Sequence, residues 1–338
     1  MSRTGIGVSL GFGEETTFGE GVAPANSMEL KGGDESLTTD RKRIEEEMLS
    51  RRGWDLDHIA KGRKAVNGTI GHDLRFTGGW LMFLSHLTLT TPTVSGTNPY
   101  IHSQNIGDTP AGILGKGLSV TVNRDGLLGT PADKAWRFYG VRPRAWKFSL
   151  EGEGKARSEW TVSASGWELV DQPVAAFPSS PWMKAPSDHA TPTPSVQYGG
   201  LGSEAPVSIQ GMSLNIEQPF DDFYELEASE MSEPYPNGLI KVTGSFTAMF
   251  KGTAATGGVF KVQDWSLTPK SLIYTIDGPD DTYKLQLSMP NVLVKAQDPV
   301  AAGAGRIFQT VDWMAVGAQS QTFEAVAALT NGDATPWN

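Results

Sequence analysis

A pattern that occurs twice, in the same order and far apart in the chain, limits the folds open to it more than any single motif does. Val66, Gly68 and Ile70 alternate with polar residues, Thr77, Gly78 and Gly79 follow, and an apolar run from Trp80 to Leu87 has helical spacing. The later copy reads Val242, Gly244 and Phe246, then Thr256, Gly257 and Gly258, then Val259 to Leu267. Each copy is followed by an alternating segment: Leu118, Val120 and Val122 in the first, Leu272, Tyr274 and Ile276 in the second. A strand pattern ending in proline closes each one, Trp136 to Pro143 and Tyr283 to Pro290. A shared order of this kind marks an internally repeated unit. Neither copy holds an obvious catalytic group, so the expectation is a chain built for assembly and not an enzyme.

The 338 residues are enough for two ordinary cores, because single cores stop growing near ~250–300 residues. With 39 Gly, 21 Pro and only 20% charged residues, many short strands joined by turns fit better than long helices. The fold class expected is mainly β, with two tandem antiparallel sandwich or barrel domains, each flanked by a short helix. The divisions are an N-terminal arm over 1–34, a first domain over 35–170, a Pro-rich linker over 171–206, a second domain over 207–297 and a C-terminal arm over 298–338. Strands in the first domain are expected at 64–76, Leu118–Val122, Trp136–Val141, Trp146–Leu150 and Trp160–Ala164. The helix is expected from Gly79 to Leu87. Between Leu87 and Lys116 the first copy carries an inserted loop marked by Pro92, Gly96, Pro99, Gly107, Pro110 and Gly112. The charge-rich segment 40–64 admits two readings. Ile44 and Met48 suit a short amphipathic helix, and the alternating blocks of charge suit an extended edge that pairs with a neighbouring chain.

No cysteine is present, which excludes disulfides and thiolate chemistry, and no segment reads as an export signal or a membrane span. The expectation is a soluble protein. A net charge of −10 argues against a protein that grips phosphates through a Lys/Arg surface. The acids are unevenly placed: from Ala185 to Leu239 there is no Lys or Arg, while Glu204, Glu217, Asp221, Asp222, Glu225, Glu227, Glu230 and Glu233 all fall there. One surface of the second half is therefore expected to be negative.

Known chemistries find little support. Gly7, Ser9 and Gly11 spell a nucleophile elbow, but Phe12 and Gly13 stand where its helix should begin. Gly115-Lys116 lacks the first glycine and the hydroxyl of a phosphate loop. The five histidines (His58, His72, His86, His102, His189) are scattered, and Asp55/Asp57, Asp221/Asp222 and Asp280/Asp281 lack calcium-loop spacing. No metal, cofactor or catalytic residue is assigned. Of the ten tryptophans, Trp136, Trp146, Trp160, Trp167 and Trp265 lie within strand or helix patterns and read as core rather than as sugar-stacking surface. A glycan- or receptor-binding β protein of a tail tip or capsid surface is the alternative, and an esterase or glycosidase is a third reading.

Several short motifs, taken in order, carry a resemblance. Gly5, Gly7 and Gly13 through Glu14, Glu15, Thr16, Thr17, Phe18 and Gly19 come first, then Glu35-Ser-Leu37 and Val66-x-Gly68-x-Ile70. Leu118 to Val122, Val242 to Phe246 and Tyr283 to Pro290 complete the set, which resembles the tail tube proteins of tailed bacteriophages over most of the chain. The resemblance implies a β-sandwich subunit that polymerises as stacked rings around a channel for the genome. A chain with two sandwiches would build a roughly sixfold ring from three copies. It also implies assembly in the host cytoplasm into the virion tail, with the chain itself, tape measure, tail terminator and distal tail proteins as partners. Double-stranded DNA would pass through the lumen without specific binding, and no membrane is involved. The acids between Glu204 and Glu233 are the candidates for the negative channel wall.

Overall fold

In a computed structural model the described residues are 9–30, 35–45, 59–77, 79–107, 110, 112–124, 134–151, 155–171, 195–199, 205–207, 209–226, 228–249, 270–278, 282–296, 307–317 and 324–331. Strands β1 (Ser9–Glu14), β2 (Asn26–Glu29), β3 (Thr38–Glu45) and β4 (Ile59–Asp73) precede the helix α1 (Gly79–Thr88). Then come β5 (Thr93–Ser95), β6 (Tyr100–Gly107), β7 (Leu118–Asn123), β8 (Ala135–Glu151), β9 (Arg157–Ala164) and β10 (Gly166–Val170). The second half holds β11 (Ser195–Gly199), β12 (Ala205–Val207), β13 (Ile209–Glu217), β14 (Phe220–Asp221), β15 (Tyr235–Pro236) and β16 (Lys241–Met249). It ends with β17 (Lys270–Asp277), β18 (Lys284–Ala296), β19 (Phe308–Ala315) and β20 (Glu324–Asn331). The chain is mainly β and every strand pairing is antiparallel.

The pairings recur. β1 pairs with β2 and β7, β3 with β4, β4 with β9, and β8 with β7, β9 and β10. In the second half β11 pairs with β12 and β17, β13 with β16, β16 with β19, and β18 with β17, β19 and β20. Segments that read as arms take part in this pattern. Leu10 and Phe12 in β1 are fully buried, as is Val311 in β19. The glycines between the apolar residues of β1 hide its period-2 signal. The apolar run Val259–Leu267, expected as the second helix, lies outside the described residues.

Two strands are longer than expected. Trp136–Val141 and Trp146–Leu150 belong to the single strand β8, which runs through Pro143, and β18 likewise runs through Pro290. Proline is tolerated in both because the ladders slip there: β8 shifts register against β7 and β9, and β18 against β17. Gly140 in β8 sits at φ +59°, where a side chain would be strained. The bend lets the first half of β8 pair with β7 and β10 while its second half pairs with β9 and β13.

Segment 40–64 is extended where it is described, because β3 and the start of β4 form a hairpin ladder through it. The helical reading fails for these residues: their apolar spacing is too thin to bury a helix face. The loop expected between Leu87 and Lys116 contains β5 and β6, and β6 pairs with β20.

The core lies between the layers and is dominated by aromatics. Trp146 stacks on Trp80 and Trp160 with ring centroids 5.4 and 5.3 Å apart, and Phe83 meets both Trp160 and Phe12. The indole N–H groups are satisfied, Trp146 donating to Ser158 Oγ at 2.7 Å and Trp160 to His72 Nε2 at 3.1 Å. All ten residues of α1 are buried, which is why its apolar residues are not confined to one stripe, and its polar members Ser85 and Thr88 bond back to Leu81 O and Leu84 O. Trp136 and Trp167, half-buried, pack on each other at 4.9 Å, and Trp265 lies outside the described residues.

The glycines of the repeated motif are explained by close approach. A Cβ on Gly68 would lie 2.6 Å from Ser36 O and 2.7 Å from Leu37 Cα, and one on Gly244 would strike Ser213 O and the Trp313 ring. Both therefore stand where a neighbouring segment approaches closely, the residues leading into β3 in one copy and β13 in the other.

Candidate assembly and lumen surfaces

Hydrogen bonding carries one sheet across both halves in the order β3-β4-β9-β8-β13-β16-β19-β18. Because directly paired residues share a face, the registers give the composition of each side. The core side carries rows such as Ile70–Trp160–Trp146–Ile216–Val242. The opposite side carries Thr69–Thr161–Ala145–Glu217–Lys241, and next to it Gly71–Glu159–Lys147–Asn215–Thr243. A third row runs Asp73–Arg157–Ser149–Ser213–Ser245–Asp312–Lys295. Hydroxyls, amides and charges thus predominate on a face that spans both halves, although the second row continues from Thr243 through Met314 and Leu293.

The cations on that face stand opposite acids, while Glu151 and Asp40 stand opposite Gly211 and Ala65. Lys147 stands opposite Glu159, Lys241 opposite Glu217, Lys295 opposite Asp312 and Arg157 opposite Asp73. The Lys147 ammonium lies 3.7 Å from Glu159. Exposed pairs of this kind contribute little stability, but they cancel one another's field.

The sequence singled out the acids between Glu204 and Glu233, and the structure gives several of the described ones partners within the chain. Glu217 lies on the polar face just described. The segment that follows it folds back across the first half. There Asp222 is ion-paired with Arg144, whose Nε also donates to Ser163 Oγ at 2.8 Å. Glu230 accepts from Lys64 Nζ at 2.5 Å and from the Tyr139 hydroxyl at 3.0 Å. Glu233 accepts from Arg142 Nη2 at 2.8 Å and from the Gly115 N–H at 2.9 Å. Asp221 accepts from Asn237, and Glu225 is exposed. Glu204 and Glu227 lie outside the described residues. The missing Lys and Arg of this stretch are supplied by the other half of the chain, at Lys64, Arg142 and Arg144. Phe223, Leu226 and Leu239 project from the same segment into solvent.

Behind Glu233 lies a buried polar cluster that the sequence did not signal. The Arg142 side chain is fully buried, donates to Lys116 O at 2.8 Å and sits 3.3 Å from His86 Nδ1. Because Arg142 can only donate, His86 Nδ1 must accept, which leaves the proton on Nε2, 3.4 Å from Glu14 Oε1. Glu15 is buried beside them and accepts from the Gly140 N–H at 2.9 Å, the Ser119 hydroxyl at 2.7 Å and the Gly19 N–H at 2.8 Å. Burial pushes the Glu15 carboxyl up, against these donors and the charge of Arg142. The His86 hydrogen bond, with Lys116, holds Glu14 below its ordinary range despite partial burial. Burial lowers Arg142 to about 10, so it stays charged at neutral pH. Burial first, and Arg142 after it, lower His86 to about 4.

A pH dependence follows. Between its ordinary value of 6.5 and about 4, His86 takes a proton in the unfolded chain but not in the folded one. Stability should therefore be complete above 6.5 and fall by up to about 3 kcal/mol as pH drops through that window. Glu14 adds a loss in the same direction below the carboxylate range, and Glu15, raised, works with the opposite sign just above it. Urea denaturation of wild type and His86→Gln at pH 7 and pH 4.5 checks this, since the variant should lose less on acidification.

Ser9 begins β1, opposite Asn123 and Glu29, so the strand continues where an elbow requires a helix. His72, His86 and His102 are buried in separate surroundings, His102 facing Asn331 Oδ1 at 3.0 Å.

In sequence, no curated protein matches the chain. A family model described as phage tail tube protein matches residues 5–315. With that match spanning nearly all of a strand-paired chain that carries one continuous polar face, the chain belongs to the phage tail tube protein family.

Proposed function

We propose that three copies of this chain close into a ring with sixfold-like repetition, and that the rings stack into a hollow tube conducting phage DNA into the host cell. The coarser statement stands on family membership: the chain is a structural tail tube protein of the virion tail. The observation that carries the finer reading is the recurrence of one strand-pairing pattern in both halves, with the halves joined edge to edge through β8 and β13. On this reading the chain is two copies of one unit, dividing between β10 and β11, and β1, β2, β19 and β20 belong to the units themselves.

The polar face of the joined sheet is the proposed channel wall. Its cations stand opposite acids and most of its other groups are hydroxyls, amides or small residues, with Met314 and Leu293 among them, so it offers phosphates no concentrated Lys/Arg surface. DNA would slide along it without specific binding. Among the described acids expected there, Glu217 lies on that face, and Asp222, Glu230 and Glu233 hold the returning segment to the first half. Further partners proposed are the tape measure protein within the channel and the tail terminator and distal tail proteins at its ends, with assembly in the host cytoplasm.

Negative-stain images of the concentrated full-length protein test the reading. Tubes with a central hole, and threefold symmetry in end-on averages, are expected. A protein that sediments as a monomer at the same concentration, and is absent from the shaft of particles carrying a tagged copy, would sink it.

A further inference from the structure

The junction inside the chain specifies the junction between chains. On one side β8 is flanked by β9 and β10; on the other, β7 covers its first half and β13 its second. β18 repeats this arrangement with one place open. β19 and β20 lie along one side and β17 covers the other as far as Val292, and beyond it, among the described residues, nothing pairs with that edge. β3, which corresponds to β13, pairs among the described residues with β4 alone, so its outer edge is open as well. One edge therefore lacks the strand that the other edge can supply.

The register can be read off. Superposing Val66, Gly68 and Ile70 on Val242, Gly244 and Phe246 places Ala65 over Lys241. Their hairpin partners then coincide, Asp40 opposite Ala65 and Glu217 opposite Lys241. The glycine contacts agree independently, since Ser36 crowds Gly68 where Ser213 crowds Gly244, the same offset along the edge strands. Carried through β9 and β19, the superposition places Thr161 over Asp312 and hence Ala145 over Lys295. Within the chain Glu217 stands opposite Ala145.

We propose that the second half of β18 pairs antiparallel with β3 of a second copy of this chain, with Lys295 opposite Asp40. Ala296 then stands opposite Thr39, and the new pairing begins beyond Val292, whose edge is already taken by Lys270. The proposal rests on the ring reading above and adds to it the two edges and their alignment. Both side chains are exposed, both lie on the polar face, and they carry opposite charges. The rows of opposed charges on that face would then run on across the subunit boundary, and the open edges of β3 and β18 would be consumed on closure.

A chain without cysteine allows a clean test by disulfide trapping. Directly opposed residues of an antiparallel pair have Cα atoms about 4.5–5.5 Å apart, within the ~4.4–6.8 Å span of a disulfide, whereas diagonal neighbours lie farther away. The full-length protein carrying Asp40→Cys and Lys295→Cys is assembled and then oxidised, and the products are separated without reductant. Covalent dimers and a closed trimer are expected, with yield at least about tenfold above a Thr38→Cys, Lys295→Cys protein. Because cysteines could disturb packing, the Asp40→Lys and Lys295→Asp variants supply a second measure. Each alone should slow assembly, and an equimolar mixture or the double variant should restore it. Tubes that form while the Thr38 pair links better, or while neither charge variant affects assembly, would overturn this register and leave the tube reading standing. Wild-type protein that forms no tubes would overturn the tube reading and the register with it.

Discussion

Gly68→Ala should lower stability by about 3 kcal/mol or more, because the atoms in the way of the new methyl are backbone. A Cβ there would meet Ser36 O at 2.6 Å, Leu37 Cα at 2.7 Å and Leu37 N at 2.8 Å, and none of these can swing aside as a side-chain tip would. Relief requires β3 to lift off β4, which breaks ladder hydrogen bonds and uncovers Leu37, buried at 3% exposure. Gly244→Ala meets the same obstacle at Ser213 O, with the Trp313 ring beside it. The two sites lie in different copies of the pattern and share no partner, so the double variant should lose roughly the sum. Urea midpoints with unchanged slopes are the measurement. A loss below about 1 kcal/mol at Gly68 would mean that β3 does not ride this close to β4.

The second large effect is expected at Arg142. Replacing it by Met keeps much of the volume but leaves Glu233 without its cation and Glu15 buried beside an apolar chain. Breaking a buried pair from one side costs about 3–5 kcal/mol, since the remaining charge keeps its desolvation cost without its partner. Glu233→Gln alone should cost less, and Arg142→Met with Glu233→Gln less than the two losses added, which a double-mutant cycle measures. The same change should be visible at His86. With the guanidinium gone, one of the influences lowering its pKa disappears, and its titration should move up from about 4 in NMR spectra of the variant. An unchanged His86 titration would show that burial alone sets the value.

The recurring strand pattern was legible because β-sheets write a period of two into sequence, and because Val66-x-Gly68-x-Ile70 and Val242-x-Gly244-x-Phe246 meet the same close backbone approach. Period two also limited the reading. The sequence pairs Leu118 with Leu272, whereas superposing the bulges of β8 and β18 sets Val120 over Leu272. A slip of two residues keeps every side chain on its own face, so no hydrophobic pattern can detect it. The strands at the chain's beginning escaped for a related reason: between their glycines only Leu10 and Phe12 mark the buried face of β1. The acids of the 217–233 segment could be counted but not located. Their partners Lys64, Arg142 and Arg144 stand some eighty to one hundred and seventy residues away in the chain, as the Glu233–Arg142 and Glu230–Lys64 separations of 91 and 166 show. A long-range ion pair leaves no local trace. The buried Arg142 likewise reads in sequence as one more surface cation between Val141 and Pro143.

β8 and β18 each belong to two layers without interruption, bending at a proline from one to the other. On the tube reading proposed above, a load applied to the layer that carries the polar face is carried by covalent backbone into the other layer, so neither layer can shear off the other without rupturing a strand. Flexing of a long tail must then be taken up where one molecule meets the next, and each subunit behaves as a stiff brick in a wall whose compliance lies in its mortar.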